Sequence, residues 1–300
     1  RMRIRHTSAE ARGQIYLPLV NWSLLLCCIL LVLGFQSSSR LSAAYGIAVT
    51  LTMLITTSLL YVAVQRLWKW RPVAAGLLCA GFMALELVFF GANAVKIWHG
   101  GWLPLAIAAA LFTIMTTWKT GRDMLRGRLA PRLVPLDLFL QSMRHEDCTR
   151  VKGTSVFLSG NPLDTPLSLV HNFKHNRVIH RTVILLTFAA TDEPHVDPAQ
   201  RVEIVPLTDG FCRIVARFGF METPGLAAVV DACREKGLEM PVNEASYFLS
   251  REVLVPGQHP GMARWRKQLF TVLSRNAQDA AAFFGLPANR VVELGMQVQF

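Results

Sequence analysis

Between Pro18 and Trp118 almost every residue is apolar or small, and the few charged ones are gathered at intervals. The spacing leaves four apolar runs, at about residues 18–35, 41–64, 73–95 and 102–118. A helix rises about 1.5 Å per residue, so roughly 20 apolar residues cross a hydrocarbon core, and each run meets or approaches that length. From Lys119 onward the composition returns to that of an ordinary soluble domain. The expected fold is a membrane all-α part with four transmembrane helices, followed by a cytosolic α/β domain with a mixed sheet. Residues 1–17 read as a cytoplasmic loop, 119–150 as a basic cytoplasmic linker and 151–300 as the cytosolic domain.

Charge follows the same division. Residues 1–132 hold 14 of the 31 Lys and Arg but only 3 of the 20 Asp and Glu, leaving 17 of each sign in the remainder. A basic chain of this kind invites a nucleic-acid reading, yet the soluble part is neutral overall, so nucleic acid is not expected as a partner. The basic residues read instead as topology signals. They cluster before the first run (Arg1, Arg3, Arg5, Arg12), between the second and third (Arg66, Lys69, Arg71) and after the fourth (Lys119, Arg122, Arg126, Arg128, Arg132), while the other two loops carry only Arg40 and Lys96. Since Lys and Arg stay on the cytoplasmic side, both ends of the chain are expected there. The cysteines form no CxxC pair, and three of them, Cys27, Cys28 and Cys79, lie inside apolar runs, so they read as reduced and structural. An opening Arg1 in place of Met suggests a piece of a longer protein, and a first apolar run followed by three more does not read as a signal peptide.

In the soluble part, strand and helix signals alternate. Strands are expected at 154–158, 181–188, 246–253 and 291–298. Residues 202–207 and 211–218 flank Thr208-Asp209-Gly210 and read as a hairpin. Thr165-Pro166 and Thr223-Pro224 each read as an N-cap followed by proline at the first helical position, and Gly237 as a helix terminator. Residues 262–276 read as an amphipathic helix carrying Trp265, Leu269, Val272 and Leu273 on one face.

Several strings resemble the Kup-type (KUP/HAK/KT) potassium uptake transporters: HTS at 6–8 with GQIYLPLVNW at 13–22, SSSRLSAAYGIAVTLTMLITT at 37–57, GGWLPL at 100–105, FTIMTTWKTGR at 112–122, VHNFKHNRVIH at 170–180, RFGFMETP at 217–224 and PANRVVELGMQVQF at 287–300. The resemblance implies a twelve-helix secondary transporter of the bacterial cytoplasmic (inner) membrane. Its architecture would be that of the amino-acid/polyamine/organocation carriers, and it would import K⁺ with H⁺ and no further cofactor. It also implies that the broken helices of the K⁺ site lie upstream of Arg1, so this chain would lack most of that site.

The resemblance gives the third span a carboxylate where relatives commonly carry Asp. Here it is Glu86, a candidate for proton or cation handling because charge in hydrocarbon is costly unless paired or protonated; a hydrogen bond to a neighbouring helix would equally account for it. Tyr45, Thr50 and Thr52 are candidates for a polar path, against the alternative that hydroxyls on a helix rich in small residues hold helices together. Gly100-Gly101 lets the chain turn sharply into the fourth span. In the soluble part His171, Asn172, Lys174, His175 and Arg177 form a regulatory candidate for an anion or nucleotide, set against a structural reading in which Asn172, Lys174 and Asn176 tie down a helix end. No carboxylate or Cys completes a metal site there, and without a P-loop, a GxGxxG or an ordered Ser/His/Asp set no enzyme is expected. Lipid, K⁺, H⁺ and a second copy in a homodimer are the partners expected. A membrane-anchored ligand sensor and a related amino-acid or polyamine carrier remain as alternatives.

Overall fold

The computed structural model describes residues 4–144, 148–255, 257, 261–276 and 279–299. Arg1 and Arg3, counted above among the topology signals, and Phe300 lie outside the described residues. The chain forms two compact units, Pro18–Thr116 and Arg1–Leu17 with Thr117–Phe300.

The first unit contains α1 (Pro18–Phe35), α2 (Ser38–Arg66), α3 (Pro72–Ala94) and the start of α4 (Trp102–Leu129). All four are long and apolar enough to cross a membrane. Helix α2 begins at Ser38, three residues earlier than expected, because the Ser37 hydroxyl accepts from Arg40 N and caps it. Proline at the first position of α3 starts that helix where the apolar run begins. Helix α2 buries Ala43, Ala44, Ile47, Thr50, Thr57 and Val64 and α3 buries Ala75, Cys79 and Glu86, the two helices joined by the Thr57–Glu86 bond. Most of these are small, which lets the backbones approach. At Gly46 a Cβ would lie 2.7 Å from Asn93 Oδ1, so a larger residue there would have to displace the Asn93 amide. No residue of α1 is buried, and most outward side chains of α1 and of the rest of α2 are apolar, as on surfaces surrounded by hydrocarbon or further helices.

The second unit opens with a short antiparallel pair, β1 (Arg5–His6) and β2 (Ile15–Tyr16). Next comes the end of α4, then α5 (Leu136–Met143). Thus the segment expected as a basic linker is largely helical. Its Leu136, Phe139, Leu140 and Met143, at i, i+3, i+4 and i+7, all turn into the core.

Six strands follow: β3 (Thr149–Ser159), β4 (Val178–Ala190), β5 (Val202–Pro206), β6 (Phe211–Phe218), β7 (Ser246–Val255) and β8 (Val291–Gln299). They make one mixed sheet in the order β5-β6-β4-β3-β7-β8, parallel except for β5 at one edge. The chain winds outward from β3 in one direction and then, at β7, in the other, which makes the fold doubly wound.

Helices α6 (Leu167–Asn176), α7 (Leu226–Glu235), α8 (Arg264–Arg275) and α9 (Ala280–Phe284) complete the unit. Helices α7 and α9 cover one face of the sheet, over Val156, Ile184, Leu186 and Ile214. The other face is covered by α5 and α6, over Phe157, Val183, Leu185 and Phe248. Neighbouring residues of one strand thus enter opposite cores, the period of two that a sheet buried on both sides requires.

Two local expectations are corrected. Neither Thr165 nor Thr223 caps its helix: Pro166 and Gly225 occupy the cap positions without a side-chain bond, and each helix starts a residue or two late. Helix α8 forms with Trp265, Leu269, Val272 and Leu273 on one side, as expected; the side it buries carries Lys267, Phe270 and Thr271, leaving Trp265 and Val272 outside. The 208–210 turn does form, with Asp209 and Gly210 both at positive φ; a Cβ on Gly210 would fall 2.3 Å from Arg181 O.

Candidate functional site

Glu86 is 7% exposed and lies between α3 and α2. The Thr57 hydroxyl donates to its Oε1 at 2.7 Å, and its Oε2 has no hydrogen-bond partner among the described residues. One carboxyl oxygen is thus held and the other is open to a further donor or a cation. Of the candidate hydroxyls, Thr50 is on the same buried face but bonds back to Gly46 O at 2.8 Å. Thr52 bonds back to Ala48 O at 2.8 Å on the outer face, and Tyr45 is 70% exposed there. The three do not converge on Glu86. Thr57, seven residues from Thr50 and therefore on its face, is the partner that sequence reasoning passes over.

At the end of α6, Asn172 is buried, its Nδ2 donating to Val178 O at 2.9 Å and its Oδ1 accepting from Asn176 Nδ2 at 2.9 Å. Arg177 closes the helix in the left-handed conformation, its guanidinium 5.3 Å from the Phe173 ring. The His171 and His175 rings stack at 5.8 Å, and His171 Nε2 lies 3.4 Å from Met296 Sδ. Lys174 and His175 are exposed. These contacts tie a helix end to β4 and β8. Among the described residues no three His, Cys, Asp or Glu side chains group as a metal site.

Two further features are products of the fold. Where the winding reverses, between the carboxyl ends of β3 and β7, a cavity of about 700 Å³ is bordered by Asn161, Asp164, Thr165, Ser250 and Glu252 together with Arg122. Open sheets of this order take ligands in such a place. Its acids and arginines balance: Arg122 lies 3.9 Å from Glu252, whose carboxyl is pushed up by burial and pulled partly back by that arginine. No local motif marks this crevice, because strand order creates it.

The second feature is Glu222 in the RFGFMETP string. It accepts from Arg201 Nη2 at 2.6 Å, Gly219 N at 2.7 Å and Val196 N at 3.4 Å. Burial acts to raise this carboxyl, but the Arg201 bond and charge and the two backbone donors together hold it below the ordinary range. The cysteines are free, and burial pushes Cys233 up to about 11, with nearby Cys212 adding to the effect.

The fold and these groups can be set beside known proteins. The K⁺ potassium transporter integral membrane domain matches residues 1–123, and the K⁺ potassium transporter C-terminal domain matches residues 152–300. A probable potassium transport system protein Kup of Myxococcus xanthus is 52% identical over 299 residues, covering all of this chain and 46% of the relative. Probable potassium transport system proteins Kup 1 of Paramagnetospirillum magneticum and Kup 2 of Chromobacterium violaceum are 48% and 47% identical over 300 residues, covering all of this chain and 47% and 48% of theirs. The chain therefore spans about half the length of the curated relatives it matches. With two domain matches and this identity along its full length, the chain belongs to the Kup-type family of potassium transporters.

Proposed function

We propose that this chain serves potassium uptake across the bacterial cytoplasmic membrane as the later portion of a K⁺/H⁺ symporter. Its architecture would be that of the amino-acid/polyamine/organocation carriers, with both ends of the chain cytoplasmic. The observation that carries the coupling half of this reading is the Glu86–Thr57 pair: a carboxyl group buried between two spans, with one oxygen held and the other open. Protonated, the group loses its charge and the hydrocarbon tolerates it; deprotonated, it requires a cation or a further donor. Cycling between these states is how such a residue couples a proton to transport. The K⁺ site itself is assigned to the portion of the relatives' length that this chain does not match. Tyr45 and Thr52 are assigned to helix surfaces and Thr50 to the α2–α3 contact, while the α6 end is assigned a structural role. Residues 133–300, neutral overall, are read as the regulatory and pairing part of a homodimer.

The test is Rb⁺ and K⁺ uptake by the complete protein in cells lacking other potassium importers, measured across external pH. Uptake confined to these ions, with amino acids and polyamines failing to compete, is expected. Glu86→Gln is expected to reduce uptake at least about tenfold and flatten its pH dependence, as loss of a coupling carboxylate does. Unchanged uptake with an unchanged pH profile excludes the role of Glu86, and absent K⁺ uptake by the unaltered protein excludes the transport reading.

A further inference from the structure

Helix α8 turns an apolar stripe away from the protein. At about 100° per residue, Trp265, Leu269 and Val272 share the side opposite buried Phe270, and Trp265 and Val272 are 57% and 53% exposed. Every charge on the helix is basic, at Arg264, Arg266, Lys267 and Arg275, with no Asp or Glu. Lys267 is drawn inward, where its Nζ donates to Gly257 O at 2.9 Å, so Arg264 and Arg275 are the charges left beside the outward stripe.

The level at which α8 lies follows from α4. Arg266 Nε donates to Thr117 Oγ1 at 2.9 Å, the Phe270 ring is 5.6 Å from that of Trp118, and a Cβ on Gly121 would stand 2.4 Å from Phe270. Counted from Trp102, a hydrocarbon core of about 30 Å ends about 20 residues along α4, in the turn from Trp118 to Arg122 where Lys119 and Arg122 bring its first charges. Helix α8 thus crosses α4 where α4 leaves the hydrocarbon, beside an indole of the kind that favours the headgroup level. Arg266, which reaches toward the membrane end of α4, is on the same side of α8 as Leu269 and Leu273, three and seven residues on. Arg264, Gln268 and Arg275 run along the other border of the stripe.

We propose that α8 is an interfacial helix. Trp265 and Val272 enter the boundary between headgroups and acyl chains, and Arg264 and Arg275 bind the phosphates of anionic lipids, as acid-free amphipathic helices do. The proposal needs α4 to span the membrane and is independent of the ion carried.

The test uses the full-length protein in nanodiscs of phosphatidylcholine and phosphatidylglycerol, comparing it with Trp265→Phe so that the difference in emission reports Trp265 alone. This ring lies on the outer face of α8, so its exchange leaves the buried side intact. Bromines near the carbonyl end of the acyl chains are expected to cut the Trp265 emission about twofold, the depth being that of an interfacial helix, while aqueous acrylamide leaves it largely unchanged. Quenching by acrylamide instead shows a ring in water and overturns the proposal. Resistance to both quenchers shows a ring covered by a second copy or by another part of the protein and overturns it equally. A measurement on the unaltered protein stands beside these: phosphatidylglycerol carrying a diazirine near its glycerol end is expected to label the peptide spanning 264–275. Absence of that label, with label present on α4, counts against the proposal even if Trp265→Phe fails to fold.

Discussion

Glu86 stands out in the sequence alone, because a carboxylate in an apolar run contrasts with every neighbour. Its partner does not. Helix α2 carries hydroxyls around its whole circumference, and only the crossing with α3 selects Thr57 from among Thr50, Thr52, Thr56 and Thr57. Thr57→Val keeps shape and removes the donor to Oε1. It is expected to destabilise the helix pair by about 1 kcal/mol, read as a lower melting temperature in detergent, because interhelical hydrogen bonds in membranes are worth about that much. Glu222 is a second residue whose role comes from its surroundings: nothing in RFGFMETP says that a carboxylate will gather Arg201 and two backbone donors. Its carboxyl is held below the ordinary 4.5, so its contribution to stability is present above that value and is lost as pH falls through the lower, folded value. Glu222→Gln is expected to flatten the acid limb of the stability-versus-pH curve of the second unit. Arg201→Ala, which strands the carboxylate with its charged donor gone, is expected to cost about 2 kcal/mol at neutral pH in urea unfolding.

At the level of elements, legibility tracks length and periodicity. The four apolar helices and the strands emerge from runs whose composition leaves little choice, and the hairpin from a Gly at a turn that needs positive φ. Helix α5 is hidden because its eight residues follow a proline in a basic stretch, although its apolar spacing fits a helix. For α8 the apolar pattern marks a face but not the direction in which it is turned. Trp265 and Val272 are exposed, and the contact with α4 is made by Phe270 against a glycine. Where a ring lies on Gly121, a side chain there must push it away. Gly121→Val is expected to cost about 2 kcal/mol through overpacking, measured by thermal unfolding. Combined with Phe270→Ala, the loss is expected to be smaller than the two single losses added, since the second change empties the space that the first one fills.

On the scale of the whole molecule, the distribution of Lys and Arg makes a topological statement that reporters can check. Green fluorescent protein joined after Gln299 is expected to fluoresce, and alkaline phosphatase inserted in the loop around Ser37 to be active; the reverse pair of outcomes would invert the orientation. Strand order, by contrast, is beyond reach of the sequence, since each strand carries enough apolar residues to occupy almost any central position, and with the order goes the crevice between β3 and β7. That order also bears on how the chain comes to be folded during synthesis. Ser155 pairs with Ser246, so one flank of the innermost strand waits for a segment 91 residues later. At about 5 to 20 residues per second, the ribosome takes roughly 5 to 20 seconds to supply it. For that interval β3 exposes an unsatisfied edge while α1 to α4 are already available for insertion, a window in which nascent-chain chaperones have a strand to protect and aggregation has one to capture.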